Sequence, residues 1–309
     1  MLRVVVWAIV ACGCGRISFD PLPGDALANG PRWTPTASSG PSPRHSTRMV
    51  YDAARGNVVL FGGAEQATDS SETWLWDGTA WILASPAMAP SARRGAAMVF
   101  DVARGVAVLL GGAGSPLPPE TWLWDGATWT HAMTVVTPTA RQAPSIAYDT
   151  DRHVTIVFGG ARDQIVSQVD ETWLWDGASW TIQMPPVRPS PRRGSAMTYD
   201  PTHRQVVLFG GRKSGGLFFD DTWTYDGTTW TQQMPARHPP ALSGPAMVYD
   251  AARDRVVLYG GLDSSDTWEW DGTNWTLTTS DGPGARRSFA MTYDAAHERV
   301  LLFGGTVST

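Results

Sequence analysis

Cysteine is nearly absent from this chain of 309 residues, and the two present, Cys12 and Cys14, both lie at its front. The remainder therefore has no disulfide and no cysteine-based metal site. Lysine is scarcer still: Lys213 is the one lysine among 24 basic residues. With a net charge of −5, the chain carries no general nucleic-acid footprint, and nucleic acid is not an expected partner. Helix-period apolar segments are missing. So are a Gly-x-Ser-x-Gly elbow, a Ser-x-x-Lys pair and a phosphate-binding Gly-Lys pair.

What is present is repetition. An apolar run ending in two glycines occurs at Gly62-Gly63, Gly111-Gly112, Gly159-Gly160, Gly210-Gly211, Gly260-Gly261 and Gly304-Gly305, in steps of 49, 48, 51, 50 and 44 residues. Strand-like units at such a period predict an all-β propeller built of blades. Each unit reads as four short strands, a to d. In the second copy these are Ala96 to Phe100, Val106 to Leu110, Thr121 to Trp124, and a strand starting at Trp129. Apolar runs as continuous as Val106 to Leu110 suit a strand covered on both faces. High glycine and proline content here marks turns, because it recurs in phase with the strands.

Between strands c and d stands Asp-Gly, as at Asp77-Gly78. A two-residue turn at that dipeptide would set Trp76 opposite Thr79 and Trp74 opposite Trp81, with all three tryptophans on one face. The copies are Trp122/Trp124/Trp129, Trp173/Trp175/Trp180, Trp223/Tyr225/Trp230 and Trp268/Trp270/Trp275, which together hold 14 of the 16 tryptophans. Aromatics recurring at one position in every repeat are assigned to packing between blades.

At these residues the chain resembles the Kelch-repeat family, over roughly residues 32–305. The resemblance implies a propeller with strand a nearest the axis. It implies no single activity, since the family includes protein-binding domains, sugar-binding domains and a few enzymes. A copper enzyme of the galactose-oxidase type would need a Cys-linked tyrosine, and the repeats have no cysteine. No cofactor is expected. Strands a and b occur six times and the Trp hairpin five times, and the chain stops just after the sixth diglycine. The expectation is six four-stranded blades, the last closed from the N-terminus. Arg32-Trp33-Thr34 matches the start of strand d, and Ile17-Ser18-Phe19-Asp20 resembles a strand c. A three-stranded last blade is the alternative.

The N-terminus reads as a signal. Met-Leu-Arg precedes the apolar run of residues 4–11, which is too short to span a bilayer and fits a secretory signal peptide. Ile9-Val10-Ala11-Cys12 resembles a bacterial lipobox, which implies cleavage before Cys12 and its lipidation. An ordinary signal peptide with a free Cys12 is the alternative. The domain reading is residues 1–11 signal, 12–31 anchor and linker, 32–309 propeller, with the protein held at the bacterial envelope.

The candidate sites come from positions that recur and positions that do not. Asp52, Asp101, Asp149, Asp200, Asp250 and Asp294 follow an aromatic at each a–b turn, where a carboxylate accepts local backbone N–H groups. His153, His203 and His297 sit in the same turns, too far apart in sequence to form a metal cluster. No metal site is expected. Eight residues before each aspartate stand Arg44, Arg93, Arg141, Arg192, Leu242 and Arg286. Such a ring could bind carboxylates or sulfated glycans, or be structural, since the usual Kelch repeat also has an arginine here.

The next position varies: His45, Arg94, Gln142, Arg193, Ser243 and Arg287. It is polar without repeating, as ligand-facing residues are. Strand alternation puts the d–a and b–c connections on one face. The b–c loops there differ in length and chemistry, with Arg162 in one and Arg212, Lys213, Phe218 and Phe219 in another. Variable loops on a rigid scaffold carry function, so these residues are the candidate binding set. The favoured function is non-catalytic binding of a protein or glycan ligand on this face. The alternative is a Kelch-type enzyme acting on a sugar or acidic small molecule, which would need a clustered acid/base pair. A passive structural or adhesive surface protein is a third reading.

Overall fold

The computed structural model describes residues 16–20, 32–37, 39–113, 119–162 and 167–307, and its regular structure is entirely antiparallel strand. The expected signal peptide and Cys12 lie outside the described residues. Five blades are each four consecutive main strands, paired in the order a-b-c-d. In the first these are Arg48–Asp52, Asn57–Phe61, Thr73–Trp76 and Trp81–Leu83. A sixth four-stranded sheet is assembled from both ends of the chain. Its inner strands are Ala290–Asp294 and Arg299–Phe303, and its outer strands are Arg16–Asp20 and Arg32–Ala37. The strand Arg16–Asp20 falls in the stretch read as linker. The six a strands pack side by side in a cycle, the last against the first. The arrangement is a propeller.

Strand b explains its own sequence. Val58, Val59, Leu60 and Phe61 are all buried, because successive side chains point to opposite faces and each face meets a neighbouring blade. The core therefore lies between blades. Phe61 of the first blade packs with Met98, Trp124 and Trp129 of the second. Polar bonds run across the same joints. The strand d indole Trp129 Nε1 donates to Thr73 Oγ1 of the preceding blade at 2.9 Å. The same bond joins Trp180 to Thr121, Trp230 to Thr172 and Trp275 to Thr222, each at 2.9 Å. Trp33, from the N-terminal strand, makes it to Thr267 at 3.0 Å.

The c–d turn differs from the two-residue form expected. Trp76 pairs with Trp81, and Trp74 with Leu83, so the loop spans residues 77–80. Asp77 widens it: its Oδ1 accepts the backbone N–H groups of Thr79 and Ala80, both at 2.8 Å. The carboxylate thus caps a longer turn than backbone preference alone would choose. Trp74, Trp76 and Trp81 still share a face, because Trp74 and Trp76 are two residues apart and Trp81 stands directly across from Trp76.

The a–b turns follow the Asx reading. Asp149 Oδ1 accepts the N–H groups of Asp151 and Arg152 at 3.0 Å, and Oδ2 pairs with the Arg152 guanidinium at 2.7 Å. In two copies histidine replaces that arginine, as His203 on Asp200 and His297 on Asp294.

Candidate functional site

The diglycines tie the blades together around the axis. The second glycine donates its N–H to the carbonyl of the residue eight before the next blade's turn aspartate: Gly63 to Arg93, Gly112 to Arg141, Gly160 to Arg192, Gly211 to Leu242, Gly261 to Arg286 and Gly305 to Arg44, at 2.8–3.0 Å. A Cβ on Gly62 would sit 2.6 Å from that Arg93 oxygen, and φ there is 66°, so only glycine fits.

A second girdle lies nearer the axis. Gly95 donates to Ser46, Ala143 to Gly95, Gly194 to Ala143, Gly244 to Gly194 and Ser46 to Ser288, at 2.6–2.9 Å. All six residues are left-handed, including the non-glycines Ser46, Ala143 and Ser288 at φ 55°, 49° and 58°. Such a conformation costs a non-glycine residue about 1–3 kcal/mol. Here it turns each N–H and C=O along the circumference so that neighbours can bond.

The recurring arginines serve this frame. Arg141 is fully buried. It donates to the Gly159 carbonyl at 3.0 Å and to Glu171 Oε2 at 2.8 Å, and Trp173 Nε1 donates to the same oxygen at 2.9 Å. Arg44, Arg93 and Arg192 repeat the clamp with Glu72, Glu120 and Asp221. Burial pushes the Glu171 carboxyl up, but the bonds from Trp173 and Arg141 and the arginine charge outweigh it and hold it below the usual carboxylate range. In the fifth blade Leu242 takes the arginine's place, and Trp268 Nε1 is left without a partner. These four arginines are spent on the frame.

The variable position comes out differently. His45, Arg94, Gln142 and Arg193 each form a backbone bridge with the first residue of their b–c loop, respectively Ala64, Ala113, Ala161 and Arg212, and Arg287 pairs with Thr306. These residues stand at the mouth of a central cavity of about 500 Å³, a size that suits a small ligand or the end of a larger one. All six of His45, Arg94, Gln142, Arg193, Ser243 and Arg287 line it, with Arg212 and Phe218. Among the described residues, five arginines line the cavity and no Asp or Glu does. Arg94 reaches Asp69 at 3.1 Å. Burial lowers the Arg212 pKa, and the nearby Arg287 charge lowers it further. A cation whose neighbour depresses its pKa marks a locally positive field.

Residues 118–305 match the family model of the KLHDC2/KLHL20/DRC7 Kelch-repeats domain. The chain belongs to the Kelch-repeat family. No curated protein matches it. Of the candidate residues on this Kelch propeller, three fall outside the cavity lining. Arg162 pairs with Glu171. Lys213 is exposed at the tip of its loop. Phe219 lies beneath the Arg192 guanidinium, 3.9 Å from the ring centre. Phe218 and Phe219 are therefore not an exposed pair: both are half-buried, and Phe219 packs on the frame. Sequence reasoning missed Arg48, which lines the cavity from strand a, and the side chains Met49, Met98, Ile146, Met197, Met247 and Met291 around it. The available signal was positional: Arg48 occupies a place held elsewhere by Ala97, Ser145, Ala196, Ala246 and Ala290.

Among the described residues no group of three or more His, Cys, Asp or Glu is placed to hold a metal ion.

Proposed function

We propose that this Kelch propeller is a non-catalytic binding module whose mouth takes an acidic segment of a partner protein. The carrying observation is the cavity's lining: among the described residues, five arginines and no carboxylate, in a chain of net charge −5. A positive concavity in a negative molecule concentrates anions there and repels them elsewhere. General acid/base chemistry draws on paired titratable groups, and among the described residues the lining offers the imidazole of His45 and no Asp or Glu, which favours binding over catalysis. Phe218 beside Arg212 supports a second reading, an acidic glycan with a sugar face against the ring. Titrating fluorescent poly-glutamate, poly-lysine and a sulfated glycan separates these. Poly-glutamate should bind, and salt should weaken it by screening. A sulfated glycan bound more tightly would move the ligand to the second reading. Preference for poly-lysine, or no binding at all, would contradict both.

We further infer that residues 1–11 are a secretory signal and that lipidated Cys12 holds the protein at a bacterial envelope, a reading supported by Ile9-Val10-Ala11-Cys12. More than one acyl chain would make that anchor stable. Labelled palmitate should enter the wild-type protein and not Cys12→Ser. We also infer that the sheet built from both chain ends acts as a sixth blade closing the ring, which the Trp33–Thr267 bond supports.

A further inference from the structure

Strand a begins with Arg48, Ala97, Ser145, Ala196, Ala246 and Ala290 in the six sheets. Small residues at this place leave the channel open beyond the girdle, and of the six Arg48 is the one with a long side chain. The surface it keeps faces the cavity. Protein otherwise encloses it, and burial pushes its guanidinium down to about 10, with no negative neighbour offsetting the drop. It donates to the Thr47 carbonyl at 3.0 Å. The contrast with the frame is plain, since buried Arg44, Arg93, Arg141 and Arg192 each hold a carboxylate. A desolvated cation without a counter-charge is costly. Around it the walls are the thioether and alkyl side chains of Met49, Met98, Met247 and Met291 and their counterparts.

We propose that Arg48 is the recognition residue of an anion subsite inside the channel, past the rim arginines. It takes a compact anionic group, a carboxylate or sulfate, while the methionines enclose the uncharged carbon attached to it. Methionine suits that role because its flexible, polarizable chain adapts to varied shapes. This deepens the mouth reading and rests on it: the rim collects an acidic ligand, and Arg48 selects for an anionic end narrow enough to pass the girdle.

The test uses hexanoate and hexyl sulfate as probes, in calorimetric titrations at fixed ionic strength. Arg48→Ala is a safe variant, because four of the other sheets carry alanine at that place. Wild type should bind at least one probe, and whichever binds more tightly names the headgroup. Arg48→Ala should weaken that binding at least tenfold, and Arg48→Lys should restore part of it. Ligand-free Arg48→Ala should melt at or above the wild-type temperature, which an arginine kept for structure would not permit. Arg193→Ala/Arg287→Ala should lose poly-glutamate yet keep the hexyl probe within threefold. Wild type that binds neither probe, or Arg48→Ala that binds as wild type does, overturns the subsite. Poly-glutamate retained by the double rim variant would instead overturn the mouth reading.

Discussion

At the scale of single residues, two sets of arginines one position apart in sequence do opposite things. Arg93, Arg141 and Arg192 are buried and saturated, while Arg94, Arg193 and Arg287 reach the cavity. The alternation of a strand-like segment separates them: one side chain turns toward the diglycine and its Glu or Asp, the next toward the axis. Removing Arg141 leaves Glu171 with the Trp173 indole and the more exposed Arg162, but without its buried partner. Arg141→Met should destabilise the fold by about 3 kcal/mol, the lower end for a broken buried pair, since Glu171 keeps some contact with solvent. Urea unfolding measures this. A loss below about 1 kcal/mol would show that the clamp contributes little.

At the scale of elements, the joint between blades combines aromatic burial with one hydrogen bond repeated from strand d to strand c. Thr121→Val keeps the shape of the threonine but leaves the Trp180 indole N–H without its acceptor. The expected cost is about 1–3 kcal/mol, read as a lower urea midpoint at unchanged slope, and an unchanged midpoint would show the bond to be incidental. Much of this level was legible in the sequence. The diglycines, the apolar b strands and the Trp spacing fixed strand identities, because their periods are set by backbone geometry. The c–d turn was not legible in detail. Asp-Gly favours a two-residue turn, but Asp77 and its counterparts also cap backbone N–H groups beyond the glycine, and that side-chain bonding decided the loop. Nor could spacing distinguish Phe218 from Phe219. Which neighbour packs under Arg192 depends on the path of the 212–221 loop.

At the scale of the whole molecule, the blades hold one another through two backbone girdles and the tryptophan joints, and the chain's two ends share a sheet. If the N-terminal strand closes the ring, Trp33→Ala should cost about 3–5 kcal/mol, the range for deleting a buried tryptophan, and should lower a single cooperative melting transition. A melting temperature equal to wild type would mean the ring stands without that strand. The six positions that line the cavity mouth stood out in the sequence because their identity varied while their neighbours repeated. Arg48 was missed because a lone departure inside a strand looks like drift until the channel is seen. The central claim is that the cavity mouth binds anions, and one comparison tests it most directly. Poly-glutamate affinity should be measured by fluorescence anisotropy for Arg193→Ala/Arg287→Ala and for Arg55→Ala/Arg104→Ala on the opposite face, after both are shown to be folded. The first pair should bind at least tenfold more weakly than wild type, about 1.4 kcal/mol, and the second within twofold. Equal loss from both pairs, or loss from the second alone, would contradict the claim.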